Sequence, residues 1–301
     1  MSRLSPLIVL LALPAVAATV DPSADGRFAV GVTTRTFVDT SRNRTLVTEV
    51  WYPAETAGRD APLRHGHYRL VLVAHGHCGF RTNYEYLTVP LASWGFLVAA
   101  PDFPGLNKTD CEEVDILFSG AARDLVFLRS AFHDPAGPAR DLAGAIRGRR
   151  AGLAGHSLGG LAVVKASLQD PALTAVVALA PFAFPAQAQK FAGQRPRRSV
   201  LVAGATNDTT IGFDDFVLPF FEALPPPAFL LKIVGGTHSG FTDMDSHLSP
   251  EELTRQHVLT RRYATAFFES YLVGARRFRT FLTAEDAAAQ GTDVEVTARP
   301  H

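Results

Sequence analysis

Residues 155–159 read Gly-His-Ser-Leu-Gly, a serine with a glycine two positions to either side. This pattern carries chemistry where it closes a strand and opens a helix, because the sharp turn between them pushes the hydroxyl clear of the sheet. An apolar run at 151–154 precedes it and helical spacing over 158–169 follows, so both conditions are met. Glycines suit the flanks, where a side chain would strike neighbouring backbone. A serine hydroxyl attacks a carbonyl only when a base takes its proton and an acid orients that base. Two later apolar runs supply candidates at their C-terminal ends. Asp208 follows the run 200–203, and His238 follows the run 229–234. Asp214, Asp215 and Asp243 compete with Asp208 for the acid.

Attack on a carbonyl also creates a negative oxygen that needs two preorganised N–H donors. The amide of Leu158, next after the serine, is one candidate. The other is the amide of His77, in the loop His75-Gly76-His77-Cys78-Gly79 after the run 70–74. His75 and His77 alone offer too few donors for a metal site, and the chemistry implies neither metal nor organic cofactor. Phe80, Phe103, Phe182 and Phe184 fall in loops expected around the serine. Phe80 and Phe182 are the candidates for contact with the substrate.

These loops need a sheet to hold them. Six nearly uninterrupted apolar runs, at 70–74, 96–100, 151–154, 175–180, 200–203 and 229–234, predict strands buried on both faces. Helical spacing at 121–132, 158–169 and 250–273 lies between or after them, the last stopped by Gly274. Residues 28–38 and 46–52, joined by a polar turn at 39–44, predict an antiparallel edge hairpin. The expectation is one α/β domain over 19–301, a mostly parallel sheet with helices on both faces. A segment after about 274 extends it with no assigned role. Fewer than twenty residues separate 182 from 199, which excludes a large cap domain.

Residues 1–18 predict a secretory signal peptide: Arg3, an apolar stretch at 7–13, and the small-residue pattern Ala15-Val16-Ala17. A secreted or periplasmic protein follows. In such a compartment Cys78 and Cys111, each just past a predicted strand, are expected to form a disulfide. No other stretch is long and apolar enough to span a bilayer. With 29 basic and 29 acidic residues among 301, the chain lacks the cationic excess of a nucleic-acid binder.

The sequence resembles α/β-hydrolases of the bacterial group related to platelet-activating factor acetylhydrolase and to cutinase-like polyester hydrolases. The matching residues include 48–53, 75–76, 80–84, 91–96, 100–102, 155–160, 207–208 and 235–238. The resemblance implies Ser157 as nucleophile, His238 as base, Asp208 as its partner and the amides of His77 and Leu158 as oxyanion donors. It also implies a small-molecule, lipid or polyester ester as substrate, with Phe182 packing on it. Two features depart from the polyester hydrolases: no Trp lies near Phe182, and no cysteines join the acid and histidine loops. Ester hydrolysis through an acyl-enzyme is the leading reading. An acyltransferase using the same three residues and a non-catalytic binding protein on this fold are the alternatives.

Overall fold

A computed structural model describes residues 20–111, 119–195, 197–244 and 247–300; the expected signal peptide lies outside them. Strands β1 (Ala29–Asp39) and β2 (Arg44–Ala54) form the antiparallel hairpin around the polar turn, in register from Ala29↔Ala54 to Asp39↔Arg44. The short β3 (Gly58–Arg59) pairs with β1. Next come β4 (Tyr68–Ala74), helix α1 (Glu85–Trp94), β5 (Phe96–Pro101) and a ribbon of β6 (Leu106–Asn107) and β7 (Asp110–Cys111). Helices α2 (Ser119–Ala131) and α3 (Arg140–Ala143) lead to β8 (Ile146–His156), α4 (Leu158–Gln169) and β9 (Leu173–Leu179). Then follow α5 (Pro185–Gln189), β10 (Ser199–Ala205), α6 (Leu218–Glu222) and β11 (Ala228–Ile233). The chain closes with α7 (Pro250–Phe268), α8 (Ala284–Gln290) and β12 (Val294–Arg299).

The main sheet has the order β12-β11-β10-β9-β8-β4-β5-β2-β1-β3. Its six central strands are parallel, with antiparallel partners on both flanks. All six apolar runs fall within these strands, save that Ala180 and Val234 lie one residue beyond. Every residue of β9 and β10 is buried, as a strand covered on both faces requires. Side chains alternate faces along a strand. A Cβ on Gly155 would meet Val163 of α4, and one on Gly152 would meet Phe268 of α7, so α4 and α7 cover opposite faces.

Helix α7 starts at a capping box, Ser249 with Glu252, and a wider turn, Glu269–Val273, carries it to the left-handed Gly274. The segment beyond has a structural role that the sequence reading did not assign. It ends in β12, which pairs antiparallel with β11 from Ala228↔Arg299 to Ile233↔Val294 and so covers that edge. Among the described residues, no helix is long and apolar enough to cross a membrane.

Candidate active site

Ser157 sits between β8 and α4 with φ 58° and ψ −123°, a strained conformation for a residue with a side chain. Three hydrogen bonds hold it there. Its N–H donates to the Leu179 carbonyl at 2.9 Å, and its own carbonyl accepts from Leu161 at 3.2 Å and Phe182 at 3.1 Å. The flanking glycines answer to close approach. A Cβ on Gly155 would lie 2.4 Å from the Gly159 carbonyl oxygen, and one on Gly159 would lie 2.4 Å from the Ala74 and His75 oxygens. Glycine thereby lets the first turn of α4 press against the end of β4.

Asp208 follows β10, and its carboxylate is fully buried with three donors. One oxygen accepts the N–H groups of Thr210 (2.8 Å) and Ile211 (2.7 Å). The other accepts His238 Nδ1 at 2.7 Å. Donors on both oxygens hold the carboxylate in one orientation toward the imidazole. The rivals lie elsewhere: Asp214 and Asp215 belong to the turn Phe213–Val217, and Asp243 accepts the N–H groups of Glu85 and Tyr86 at the start of α1. Burial pushes the Asp243 carboxyl up to about 6.

The His238 ring lies 4.5 Å, centroid to centroid, from that of His156, the residue before the serine. Its loop is clasped to the acid loop by Asn207 N–H to Gly236 (2.9 Å), Asn207 Nδ2 to Gly235 (3.2 Å) and Gly235 N–H to Thr206 Oγ1 (2.8 Å). These bonds join the two loops where the polyester hydrolases use cysteines. Gln256, buried on α7, fixes the loop from below: Oε1 accepts Thr237 N–H at 3.1 Å and Nε2 donates to the Thr237 carbonyl at 3.0 Å. A Cβ on Gly240 would come 2.2 Å from Gln256 Oε1, so a larger residue there would displace the Gln256 amide.

The loop after β4 passes over the serine, with an added Gly76 Cβ falling 3.2 Å from Ser157 Cβ. The peptide joining Gly76 to His77 is gripped at its carbonyl, which accepts His75 Nδ1–H at 2.7 Å and Gly79 N–H at 3.1 Å. Its other end is the His77 N–H. The Gly76 N–H donates to Tyr84 Oη at 3.1 Å, and that oxygen lies 3.2 Å from His156 Nδ1. His75 Nε2 accepts the Phe103 N–H at 3.1 Å, so both ring nitrogens are engaged in one neutral tautomer. Burial lowers the His75 pKa to about 4. The His75–His77 pair is therefore no ligand set. Leu158 heads α4, and a first-turn N–H has no acceptor within its helix.

The Cys78–Cys111 disulfide is present and ties this loop to the β6–β7 ribbon, with the Cα atoms 5.4 Å apart. The His77 ring lies against the bridge, with Nδ1 3.6 Å from Cys78 Sγ and Nε2 3.5 Å from Cys111 Sγ. Arg81 adds a second tie: its N–H donates to Asp102 at 2.7 Å and its Nε to Glu49 at 3.3 Å.

The family model described as PETase, PET hydrolase-like, matches residues 14–298. The chain belongs to the PET hydrolase-like family. A bis(hydroxyethyl) terephthalate hydrolase of Streptomyces coelicolor (strain ATCC BAA-471 / A3(2) / M145) is 24% identical over 236 residues, covering 77% of this chain and 64% of that relative.

In this PET hydrolase-like chain Phe182 forms an aromatic trio with Phe184 and Phe216, at centroid distances of 5.1, 5.5 and 5.7 Å. The Phe182 N–H bond to the Ser157 carbonyl sets the trio beside the serine, and Phe184 is 40% exposed. Phe80 does not join it; its ring lies beneath Lys108 Nζ at 5.1 Å. Phe103 does not line the cleft as expected. It is fully buried against His75, 4.8 Å away, because its N–H is needed there. Phe216, Tyr84 and Gln256 were not legible as site residues. Only the approach of a strand end marks the loop before Phe216.

Proposed function

We propose that the protein is an exported carboxylic ester hydrolase acting on aromatic or polyester-type esters. The observation that carries this reading is the buried, doubly anchored Asp208 carboxylate on His238 Nδ1, with the His238 ring beside the strained Ser157 turn. His238 Nε2 takes the Ser157 proton as the oxygen attacks the ester carbonyl, and Asp208 orients and stabilises the imidazolium. The His77 and Leu158 amides receive the developing oxyanion. The tetrahedral adduct collapses, His238 protonates the departing alcohol, and an acyl-Ser157 ester remains. Water, deprotonated by His238, then attacks that ester and releases the acid and the free serine.

The Phe182, Phe184 and Phe216 rings supply an apolar face for an aromatic acyl group beside the serine. The relative's activity on bis(hydroxyethyl) terephthalate agrees with such a face. Residues 1–18 act as the export signal. The test combines fluorophosphonate labelling with hydrolysis of bis(hydroxyethyl) terephthalate followed by chromatography. The parent chain labels at Ser157 and releases acid, while Ser157→Ala does neither. An unlabelled parent, or label on another serine, overturns the assignment. Adding a competing alcohol separates hydrolysis from acyl transfer, which would give mainly the new ester.

A further inference from the structure

The sheet edge remote from the serine carries a cavity of about 590 Å³. It opens at the N-terminal ends of β4, β5 and β8. The length of β4, roughly 20 Å, separates it from the loop that carries His77. Arg27, Arg64, His65, His67, Arg69 and Arg147 line it. The whole chain is formally neutral, so this concentration of cationic groups is local. Glu269 is the one carboxylate in the wall.

Arg27, Arg64 and Arg69 are held by contacts, yet the set is poorly matched in charge. The guanidinium groups of Arg27 and Arg64 lie over the Phe28 ring, at 4.7 and 5.7 Å from its centroid. Arg64 has a carboxylate partner, Glu55 at 3.6 Å. Among the described residues, none of Arg27, Arg69 and Arg147 makes an ion pair. Arg69 is the sharpest case. Its Nη1 donates to the Arg147 carbonyl at 2.7 Å, and its Nε is buried with no partner among the described residues. Burial first, then the nearby Arg147 and Arg150 charges, lower its pKa. A buried donor without an acceptor costs free energy until an acceptor arrives.

We propose that this cavity binds a small, multiply charged phosphate anion, such as a phosphate monoester or diphosphate. Four guanidinium groups exceed what Glu269 and the Glu55 partner of Arg64 neutralise, and their planar forks match paired phosphoryl oxygens. The site stands apart from the ester chemistry and does not depend on it.

The test is equilibrium dialysis of the full chain against labelled inorganic diphosphate at low salt, with co-sedimentation on phosphatidylcholine vesicles with and without phosphatidate. The parent chain binds one equivalent of diphosphate saturably. Changing Arg27→Ala and Arg147→Ala together, both exposed side chains, weakens binding about tenfold or more and leaves ester turnover unchanged, which also reports the fold. Binding of diphosphate alone identifies a soluble phosphate compound. Phosphatidate-dependent sedimentation that the double variant loses identifies a lipid headgroup. Binding to neither probe, or equal binding by parent and variant, overturns the proposal.

Discussion

At the scale of single residues, the site depends on which end of each polar group is already occupied. Asp208 spends one oxygen on two backbone N–H groups and leaves the other to His238, so removing it frees the imidazole to take the wrong tautomer. Asp208→Asn is expected to lower kcat by about 10⁴. Asp243→Asn, whose carboxyl serves the start of α1, should leave kcat close to the parent value. The reverse ranking in steady-state kinetics would move the acid to Asp243. His75 invites a finer test. Its Nδ1–H grips the Gly76 carbonyl and so aims the far end of that peptide, the His77 N–H. Asn at position 75 can return a donor near Nδ1, whereas Gln reaches toward Nε2. His75→Asn is therefore expected to retain more kcat than His75→Gln, with KM little changed in both. The loss for Gln should approach the 10²-fold or so that one oxyanion donor contributes. Equal kcat values for the two variants, or a loss confined to KM, would show that the ring fills space and aims nothing.

At the scale of elements, the loop between β4 and α1 is positioned by partners distant in sequence: the β6–β7 ribbon, the disulfide, Asp102 and Glu49. The bridge spans a sequence separation of 33 residues, for which loop-closure entropy gives about 3–4 kcal/mol. Replacing Cys78 and Cys111 together with serine should lower stability by that order in urea unfolding. It should also lower kcat more than KM, because the freed loop carries the proposed oxyanion donor. A variant with normal kcat would mean that hydrogen bonds alone hold the loop. Elements that signal themselves locally were legible: six apolar runs became the six parallel strands, and α4 begins and ends at the predicted residues. The candidate site residues Ser157, Asp208 and His238 each follow such a strand, so their placement at the strand ends was readable for the same reason. Helix α1 was not. It contains Pro90 and no side-chain cap at its N-terminus, and the carboxylate that receives its first N–H groups comes from Asp243, 158 residues away. Strand β12 did carry a signal, with Val294 and Val296 buried and Glu295 and Thr297 exposed. A period of two that short in a terminal segment does not reveal which strand it joins.

At the scale of the whole molecule, buried histidines and buried carboxylates pull stability in opposite directions with pH. Burial holds His75 at about 4, below the 6.5 of an unfolded histidine. The unfolded chain then binds more protons between those values, and stability rises with pH through that window. Burial also puts His156 well below its usual range, with the His238 charge adding to the effect, so it acts the same way. Glu269, at the remote edge, is pushed by burial up to about 7 from 4.5, despite the opposing charges of Arg277 and Arg27. There the native state binds more protons, and stability falls as pH rises from 4.5 to 7. Asp243 contributes the same sign between 3.8 and about 6. The opposing slopes overlap and flatten the profile near pH 5–6. Glu269→Gln removes one of the two carboxylates from that balance. The variant should match the parent near pH 4.5 and gain on it as pH rises, by roughly 3 kcal/mol at pH 8 as an upper figure. Urea unfolding at both pH values measures this. A stability difference that stays constant with pH would show that Glu269 does not titrate in that window. Because Glu269 lies a strand's length from Ser157, kcat should stay constant while stability moves, which separates the edge of the proposed ester chemistry from the edge that holds Glu269.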